Sequence, residues 1–287
     1  MNYRRRFFVD PAKKLRLAAI DPAGTGRHAS ELAAKEEIDG HCRRLAYLQA
    51  RLYAQRQHAV LIVLQAMDAG GKDGTVSHVF STLNPQAARV ASFKPPTEAE
   101  KAHDFLWRVH AEVPAKGEIV IFNRSHYEDV LVPRVHGLID RASWTARYQQ
   151  IRAFETLLAS NGTTTLKFFL HISKEEQLAR FAARLQDPAR NWKISEADYT
   201  ERALWERYRE AYEDALQATS TADAPWYVIP ANHKWFRNLA VSSIVVETME
   251  ELGLVFPQPS VDLARIRQQY HAAEEEAERR KAKPAAE

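Results

Sequence analysis

The stretch AVLIVLQAMDAGGKDGTVSHVF, residues 59–80, joins a short aliphatic run to a loop with two adjacent glycines and a lysine, and then to a helical pattern. The run Val60–Leu64 is rich in β-branched residues, which predicts a parallel strand buried on both faces. A strand, a glycine-rich loop and a helix in this order are typical of a P-loop, in which backbone N–H groups and a helix N-terminus hold phosphate oxygens.

The loop contains the groups that an anion site needs. Gly70 and Gly71 are expected to take positive φ angles so that backbone N–H groups turn inward, and Lys72 adds a positive charge between phosphoryl groups. We therefore predict phosphate or nucleotide contacts along the loop, from Ala69, Gly70, Gly71, Lys72, Asp73, Gly74 and Thr75.

The P-loop pattern is incomplete. A full G-x-x-x-x-G-K-[ST] motif would have glycine at 66 and a hydroxyl residue at 73, but the chain has Ala66 and Asp73. The hydroxyl that usually binds magnesium is therefore absent, although Thr75 is near in sequence. The alternative is an ordinary turn whose glycines only relieve a steric conflict. Asp68 argues against it, because a carboxylate in an anion site repels phosphate unless it holds a metal ion or a proton.

The composition limits the kind of protein. The chain has 287 residues, of which 45% are hydrophobic and 27% charged, and its formal net charge is +3. These values are typical of a globular protein, and no apolar run approaches the ~20 residues that cross a membrane. The one cysteine, Cys42, excludes a disulfide within the chain and indicates a cytoplasmic protein.

Apolar runs and helical spacings alternate along the chain. Strands are predicted at residues 60–64, 89–93, 117–122, 166–172 and 226–229. Besides the helix after the P-loop, helices are predicted at 31–57, 97–111, 143–160, 174–185 and 196–218, with a last one ending near 252. This alternation predicts one α/β domain, a three-layer α/β/α sandwich around a five-stranded parallel sheet.

The two ends of the chain are predicted to lie outside this domain, which we assign to residues 31–256. Residues 1–30 are interpreted as an extended arm over the surface, with a disordered tail as the alternative for the first few residues. Residues 257–287 are predicted to form a docked helical tail that frays at its end.

Polar side chains follow two of the predicted strands, at the edge where open α/β sheets bind ligands. Lys94 follows the second strand and is either a phosphate contact or a surface lysine. Asn123 follows the third, where P-loop enzymes place an acidic residue that handles magnesium. The carboxylate role would then pass to Asp68, Glu128 or Asp129, which we take as candidate metal ligands. A helix-capping cluster is the alternative for the residues after Asn123.

A basic helix–loop–helix at about residues 180–200 is predicted to form a lid. Arg180 and Arg184 are four apart and share a helix face. Lys193 adds charge, and an aromatic residue such as Trp192 in a basic loop favours a functional role over a solvated charged face. A lid of this kind excludes water and brings cations to the phosphates.

Five segments resemble the second family of polyphosphate kinases over about residues 10–257. They are LQAMDAGGKDGT, FKPPTEAEKAHDFLWR, GEIVIFNRSHYEDVLVPRVH, ARLQDPARNWK and WYVIPANHKWFRN. The resemblance implies a P-loop kinase fold similar to thymidylate kinase, with a helical lid. It also implies transfer of the terminal phosphoryl group between inorganic polyphosphate and a nucleotide, with Mg²⁺ or, as an alternative, Mn²⁺.

One of these segments indicates the substrates. The sequence FNRSHYEDV resembles the third class of that family, which takes AMP and ADP, whereas other single-domain classes generally have aspartate in place of Asn123. Adenine nucleotides are therefore expected as acceptors, with guanine nucleotides open, and the resemblance implies a homodimer or homotetramer.

The resemblance also implies catalytic roles for four side chains. Asp68 would orient or deprotonate the accepting phosphate, Lys72 would hold phosphate, Arg124 would clamp phosphates and Arg184 would act from the lid.

Two other functions stay open at this point. One is an ATP-dependent P-loop kinase of a nucleoside monophosphate or a small metabolite. The other is a polyanion-binding module for nucleic acid, which is disfavoured because the sequence lacks runs of Lys and Arg interleaved with aromatics. We therefore expect neither nucleic acid nor a membrane as a partner.

Overall fold

The computed structural model describes residues 2–282, and its centre is one five-stranded parallel sheet. The strands are β1 (Ala59–Gln65), β2 (Ala88–Ser92), β3 (Ile119–Asn123), β4 (Thr163–His171) and β5 (Trp226–Pro230). Their order in the sheet is β2-β3-β1-β4-β5, and every pair is parallel. All seven residues of β1 are buried, as the aliphatic run predicts for a central strand.

Helices cover both faces of the sheet, so the predicted three-layer α/β/α fold is confirmed. The longer helices are α2 (Glu31–Gln55), α3 (Lys72–Val79), α6 (Glu128–Val135), α7 (Arg141–Ser160), α8 (Lys174–Gln186), α9 (Glu196–Ala203), α10 (Trp205–Thr219), α11 (Lys234–Glu251) and α12 (Leu263–Ala282). Short ones are α1 (Tyr3–Phe7), α4 (Glu98–Lys101) and α5 (Trp107–His110). Helices α2, α3 and α11 pack together in one layer, and α6, α7 and α10 in the other.

Two of the helix predictions were wrong. The segment predicted as one helix at 97–111 contains two single turns, α4 and α5. Between them the Asp104 side chain accepts a hydrogen bond from Leu106 N at 3.0 Å, and α5 begins as a separate turn. The segment predicted as one helix at 196–218 breaks at Leu204. The break lets α10 bury Trp205 and Tyr212, while no residue of α9 is buried.

The chain separates into two compact units, one ending at Leu254 and one starting at Val255. The first contains all five strands, and the second contains α12. The predicted domain limits at 30/31 and 256/257 stay predictions, and the predicted fraying of the tail falls on residues 283–287, outside the described residues. Among residues 2–282, no helix is long and apolar enough to cross a bilayer.

The N-terminal arm contains more regular structure than the extended segment we predicted. Helix α1 buries Tyr3 and Phe7, whose rings contact Phe236 at centroid distances of 5.9 and 6.0 Å. Burying these aromatic rings fixes the start of the arm on α11.

The single cysteine, Cys42, is buried on α2, and burial raises the pKa of its thiol.

Candidate active site

The glycine loop lies at the C-terminal end of β1, in the middle of the sheet edge. Gly71 has φ 101°, as predicted, but the second positive φ belongs to Ala69, at 58°, and not to Gly70. Gly70 is needed for a different reason. A Cβ there would collide with the Ala66 side chain and lie 2.8 Å from Met67 O.

Lys72 is the first residue of α3, and its side chain folds back over the loop. Its Nζ donates to Ala66 O at 3.2 Å. Burial lowers the pKa of Lys72, and the nearby Arg124 lowers it further, while the Asp68 carboxylate opposes both effects. A cation whose charge is costly in the unliganded protein gains stability when an anion binds beside it.

Asp68 and Arg124 bring the ends of β1 and β3 together. Asp68 Oδ1 lies 3.3 Å from Arg124 Nη2, and both side chains stay partly exposed. Arg124 adopts φ 65°, a conformation that residues other than glycine rarely take. Arg124 N nonetheless donates to Leu64 O at 3.2 Å, so the strand pairing holds this backbone in place.

Glu128 adds a second carboxylate to this cluster from the first turn of α6. In the amide orientation that satisfies both of its ends, Gln65 donates to Glu128 Oε1 at 2.9 Å and accepts from Ser125 Oγ at 3.0 Å. Burial raises the pKa of Glu128, and the charges of Arg124 and Lys72 oppose that rise. Two carboxylates and two cations thus converge between β1 and β3.

The donor set of this cluster fits a hard divalent cation. Asp68 and Glu128 supply carboxylate oxygens, and Mg²⁺ is typically held by one or two carboxylates together with substrate phosphates and water. No group of three His, Cys, Asp or Glu residues among the described residues forms a complete protein cage. Asp129 has another partner, because Arg108 Nη2 lies 3.0 Å from its Oδ2.

The lid meets the P-loop through Asp73. Asn123 Nδ2 donates to Asp73 Oδ1 at 2.9 Å, and Lys193 Nζ lies 3.4 Å from Oδ2. Burial raises the pKa of Asp73, but the Asn123 hydrogen bond and the Lys193 charge outweigh it, so the pKa is lowered. One carboxylate therefore joins the loop, the end of β3 and the lid.

The other lid residues lie farther from the reacting cluster. Arg184 donates to Lys193 O at 3.2 Å, so it reaches the P-loop only through Lys193. Trp192 is 77% exposed, and Lys193 Nζ lies 5.0 Å from the centre of its ring. Among these residues, only Lys193 contacts the P-loop directly, through Asp73.

The segment that carries Arg124 and Glu128 is anchored by a buried ion pair. Lys167 Nζ on β4 lies 2.5 Å from Glu155 Oε2 on α7, and both side chains are at most 1% exposed. Tyr127 donates to Glu155 Oε1 at 2.9 Å and accepts from Lys167 at 3.0 Å. The start of α6 is thus tied to the core directly beneath Glu128.

Comparison with known proteins agrees with the phosphate-binding geometry of this site. The sequence pattern of the family described as polyphosphate kinase 2 (PPK2) matches residues 28–253. The chain belongs to the PPK2 family. A solved structure of polyphosphate kinase 2 from Arthrobacter aurescens is similar to it with a TM-score of 0.88 at 42% identity, over 92% of this chain and 98% of that one. This likeness agrees with the predicted P-loop kinase fold.

Two curated relatives in this family carry names that state their substrates. The AMP/ADP-polyphosphate phosphotransferase of Meiothermus ruber is 54% identical over 263 residues, which cover 91% of this chain and 98% of the relative. The ADP-polyphosphate phosphotransferase of Rhodopseudomonas palustris is 47% identical over 79% of this chain and 84% of its own length.

Three of the residues predicted for the site have other surroundings in this PPK2 family member. The Thr75 hydroxyl donates to Gly71 O at 3.2 Å and is buried, so it is used inside α3. Lys94 has an exposed side chain that bonds to none of the described residues. Arg180 is fully engaged, because its guanidinium donates to Ala69 O at 2.8 Å and to Ala231 O at 2.6 Å.

Arg237 also lies beside the loop, although it is not among the residues predicted for the site. It is 2% exposed, and its guanidinium donates to Asn238 Oδ1 at 2.8 and 3.2 Å. A Cβ at Gly71 would collide with its Nη1, so the guanidinium lies directly behind the P-loop. Burial, together with the charge of Arg180, lowers the pKa of Arg237 to about 10. The only sequence signal was a cation in the first turn of α11, where the helix dipole disfavours it.

Proposed function

We propose that the protein transfers the terminal phosphoryl group of inorganic polyphosphate to AMP and ADP, forming ADP and ATP in a reversible, Mg²⁺-dependent reaction. The observation that carries this proposal is the convergence of Asp68, Lys72, Arg124 and Glu128 between β1 and β3. Membership of the PPK2 family and 54% identity to a relative named for both AMP and ADP support it.

The geometry suits phosphoryl transfer, which needs positioning and neutralisation of charge rather than a covalent nucleophile. The N–H groups of the loop and Lys72 would hold the donor phosphates. Arg124 would contact both the donor and the acceptor, and Asp68 and Glu128 would hold Mg²⁺. The bound ion would neutralise charge on the transferring group.

The lid would supply the remaining requirements of the reaction. Closure of residues 180–200 over the loop would exclude water, which otherwise accepts the phosphoryl group. Arg184 and Lys193 would then bring positive charge to the side opposite Lys72.

An assay without ATP tests the proposal. Purified protein is incubated with polyphosphate, Mg²⁺ and AMP, ADP, GMP or GDP in turn, and nucleotide products are separated by chromatography. We expect ADP and ATP from AMP, ATP from ADP, and loss of both when Mg²⁺ is chelated. If product forms only after ATP is supplied as donor, the protein is an ATP-dependent kinase and the proposal fails.

Four further parts of the proposal concern the cofactor, the acceptor range, the assembly and the location. Mn²⁺ is proposed as a substitute for Mg²⁺, and guanine nucleotides as secondary acceptors. A homodimer or homotetramer is proposed for the assembly, which light scattering of the purified protein measures. We propose a cytoplasmic location, with which the single reduced Cys42 is compatible.

A further inference from the structure

The N-terminal arm is fixed along the outer edge of β5. Val9 N donates to Trp226 O at 2.9 Å, and Phe8 pairs with Tyr227 near the start of that strand. Beyond the other end of β5, Asn232 N donates to Pro22 O at 3.0 Å. The arm therefore follows β5 from its start to the sheet edge where the P-loop lies.

Side chains of α10 hold the arm between these two points. Gln217 Oε1 accepts from Leu15 N at 3.0 Å, and Glu213 Oε1 accepts from Leu17 N at 2.7 Å. Leu17 is only 1% exposed. The backbone of the arm is thus held by α10 as well as by β5.

A groove lies between residues of this arm and the edge of β5. It consists of two adjoining cavities of about 330 and 610 Å³, which have Phe8 and Ile20 among their shared lining residues. One cavity reaches Pro230, the last residue of β5, and the other reaches Lys14 and Arg16. We call the two cavities together the arm groove. Its lining comes from the segment 5–24 and from Val228 and Pro230.

The charges that line the arm groove are mostly positive. The cations are Arg5, Arg6, Lys13, Lys14 and Arg16, and the only carboxylates in the lining are Asp10 and Asp21. Lys13 pairs with Asp10 at 3.1 Å. Arg5, Lys14 and Arg16 are exposed and have no carboxylate partner within residues 2–282. All three line the cavity that reaches Arg16, whereas the charged residues of the cavity that reaches Pro230 are Arg6 and Asp21. The outer part of the groove therefore has exposed positive charge, which suits an extended polyanion.

The inner end of the arm groove lies close to the P-loop. Strands β1 and β5 are separated only by β4, which places their ends about 10 Å apart. Arg180 links the two regions, because its guanidinium donates to Ala69 O in the loop and to Asn232 O beside the arm, at 2.8 and 3.2 Å. A polyphosphate chain that leaves the loop at this edge therefore has about 10 Å to cross before it reaches the groove.

We propose that the arm groove binds the distal part of the polyphosphate chain, beyond the phosphates that lie at the P-loop. This proposal rests on the proposed function and adds to it a second, sequence-separate subsite for the donor. The subsite acts on long chains only, because a short oligophosphate held at the loop does not extend into the groove. It lowers the KM for long polyphosphate and leaves the chemical step unchanged.

Charge reversal at two exposed groove residues tests this subsite. For the variant Lys14→Glu/Arg16→Glu, the KM for long-chain polyphosphate should rise about tenfold, and its dependence on salt should become shallower. The KM for tripolyphosphate, the KM for ADP and kcat should stay within about twofold of the unchanged protein. The matched control is Lys116→Glu/Arg152→Glu, which changes the charge equally at exposed sites outside the groove and should alter neither KM.

Two outcomes would overturn the proposal. One is an equal KM for long polyphosphate in the groove variant and the control. The other is an equal rise for long polyphosphate and tripolyphosphate, which would indicate a general field effect. If the charge-reversed variant melts earlier than the control, the neutral variant Lys14→Gln/Arg16→Gln is used, with the same comparison of long and short chains.

Equilibrium binding separates this proposal from the proposed function. Fluorescently labelled long polyphosphate is titrated into the protein without nucleotide, and the groove variant should bind it about tenfold more weakly than the control does. Failure of the turnover assay with this binding difference intact would reject the function and keep the groove. A single-stranded oligonucleotide of equal charge that competes more tightly than polyphosphate would assign the groove to nucleic acid and reject the proposal.

Discussion

Arg237 is a buried cation beside the P-loop, and we propose that it is kept for the site at a cost in stability. Its guanidinium is almost completely buried, and among the described residues its hydrogen bonds go to the neutral Asn238 amide rather than to a carboxylate. A buried charge without an ionic partner usually destabilises a protein. Its position beside Gly71 supplies the proposed reason for keeping it, because a fixed positive charge there would favour phosphate bound at the loop.

The variant Arg237→Met should separate these two effects. We expect kcat/KM with polyphosphate to fall about a hundredfold, because a fixed cation near the phosphates is lost. The thermal midpoint should stay equal or rise, because an uncompensated buried charge is removed. Assays and melting curves measure both quantities, with Arg237→Lys as a control that keeps the charge. A lower midpoint with unchanged kcat/KM would assign Arg237 a purely structural role.

At this scale, the sequence predicted which residues lie together in the loop better than it predicted the backbone geometry that each of them needs. Lys72 and Asp68 were found from the motif and lie in the cluster. Gly70 was expected to need a positive φ, but it is the crowding by Ala66 that excludes a side chain there. Crowding depends on how tightly the loop folds back on itself, and a one-dimensional pattern carries no information about that.

At the scale of elements, the buried pair between β4 and α7 makes stability depend on pH. Burial raises the pKa of Glu155, but Lys167 and His126 outweigh it, so its pKa is lowered in the folded protein. A carboxyl with a lowered pKa stabilises the fold above its unfolded pKa of about 4.3, and this contribution is lost as the pH falls through the folded value.

The variant Glu155→Gln should therefore lose stability at neutral pH and show a weaker dependence on pH in acid. We expect a loss of about 3–5 kcal/mol at pH 7, because Lys167 is left buried without its partner. Urea unfolding at a series of pH values measures both effects. The double variant Glu155→Gln/Lys167→Met should recover most of the loss. If it recovers none, packing rather than charge accounts for the effect.

In the lid, we expect turnover to depend on the side chain of Arg184 but not on that of Arg190. Arg184 lies in the last turn of α8 and contacts the Lys193 backbone, whereas Arg190 is 59% exposed and pairs with Asp187. Arg184→Ala should lower kcat about a hundredfold without changing the thermal midpoint, since it would remove a cation that we propose the closed lid brings to the transferred phosphoryl group. Arg190→Ala is the matched control and should keep kcat within about twofold. Equal effects of the two substitutions would remove Arg184 from the proposed catalytic set.

Strands with a continuous apolar run were predictable from the sequence. Helix ends that are set by tertiary contacts were not. Strand β1 and its neighbours follow the predicted ranges within a few residues. The break at Leu204 was missed because no proline or glycine marks it between residues 196 and 218, and only the surroundings of α9 and α10 require a change of direction. Local propensity is a weak guide where packing decides.

At the scale of the molecule, the unit that ends at Leu254 contains every strand and every residue proposed for the site. Deletion of residues 258–287 should therefore leave ATP-free turnover within about twofold and the thermal midpoint nearly unchanged, because a unit with its own core folds alone. The measurements are the polyphosphate assay and a melting curve on the shortened chain. A large loss of both would show that α12 is needed for folding or assembly.

The site as a whole could be predicted only in part, because its links cross long stretches of chain. The sequence placed Asp73 in the loop, but its contacts with Asn123 and Lys193 lie 50 and 120 residues away. The arm groove was not predicted at all, since an arginine-rich start resembles a disordered tail until its hydrogen bonds to β5 and α10 are known. Neither feature leaves a periodic signal in the sequence.

The buried position of Cys42 offers a practical route to watching the lid. With its thiol enclosed and its pKa raised, this side chain should react slowly with maleimide dyes, so the native protein needs no cysteine removed before labelling. A new thiol at the exposed Trp192, made by Trp192→Cys, would be the single fast-reacting position. A fluorophore there would report lid opening and closing in real time as polyphosphate is mixed in.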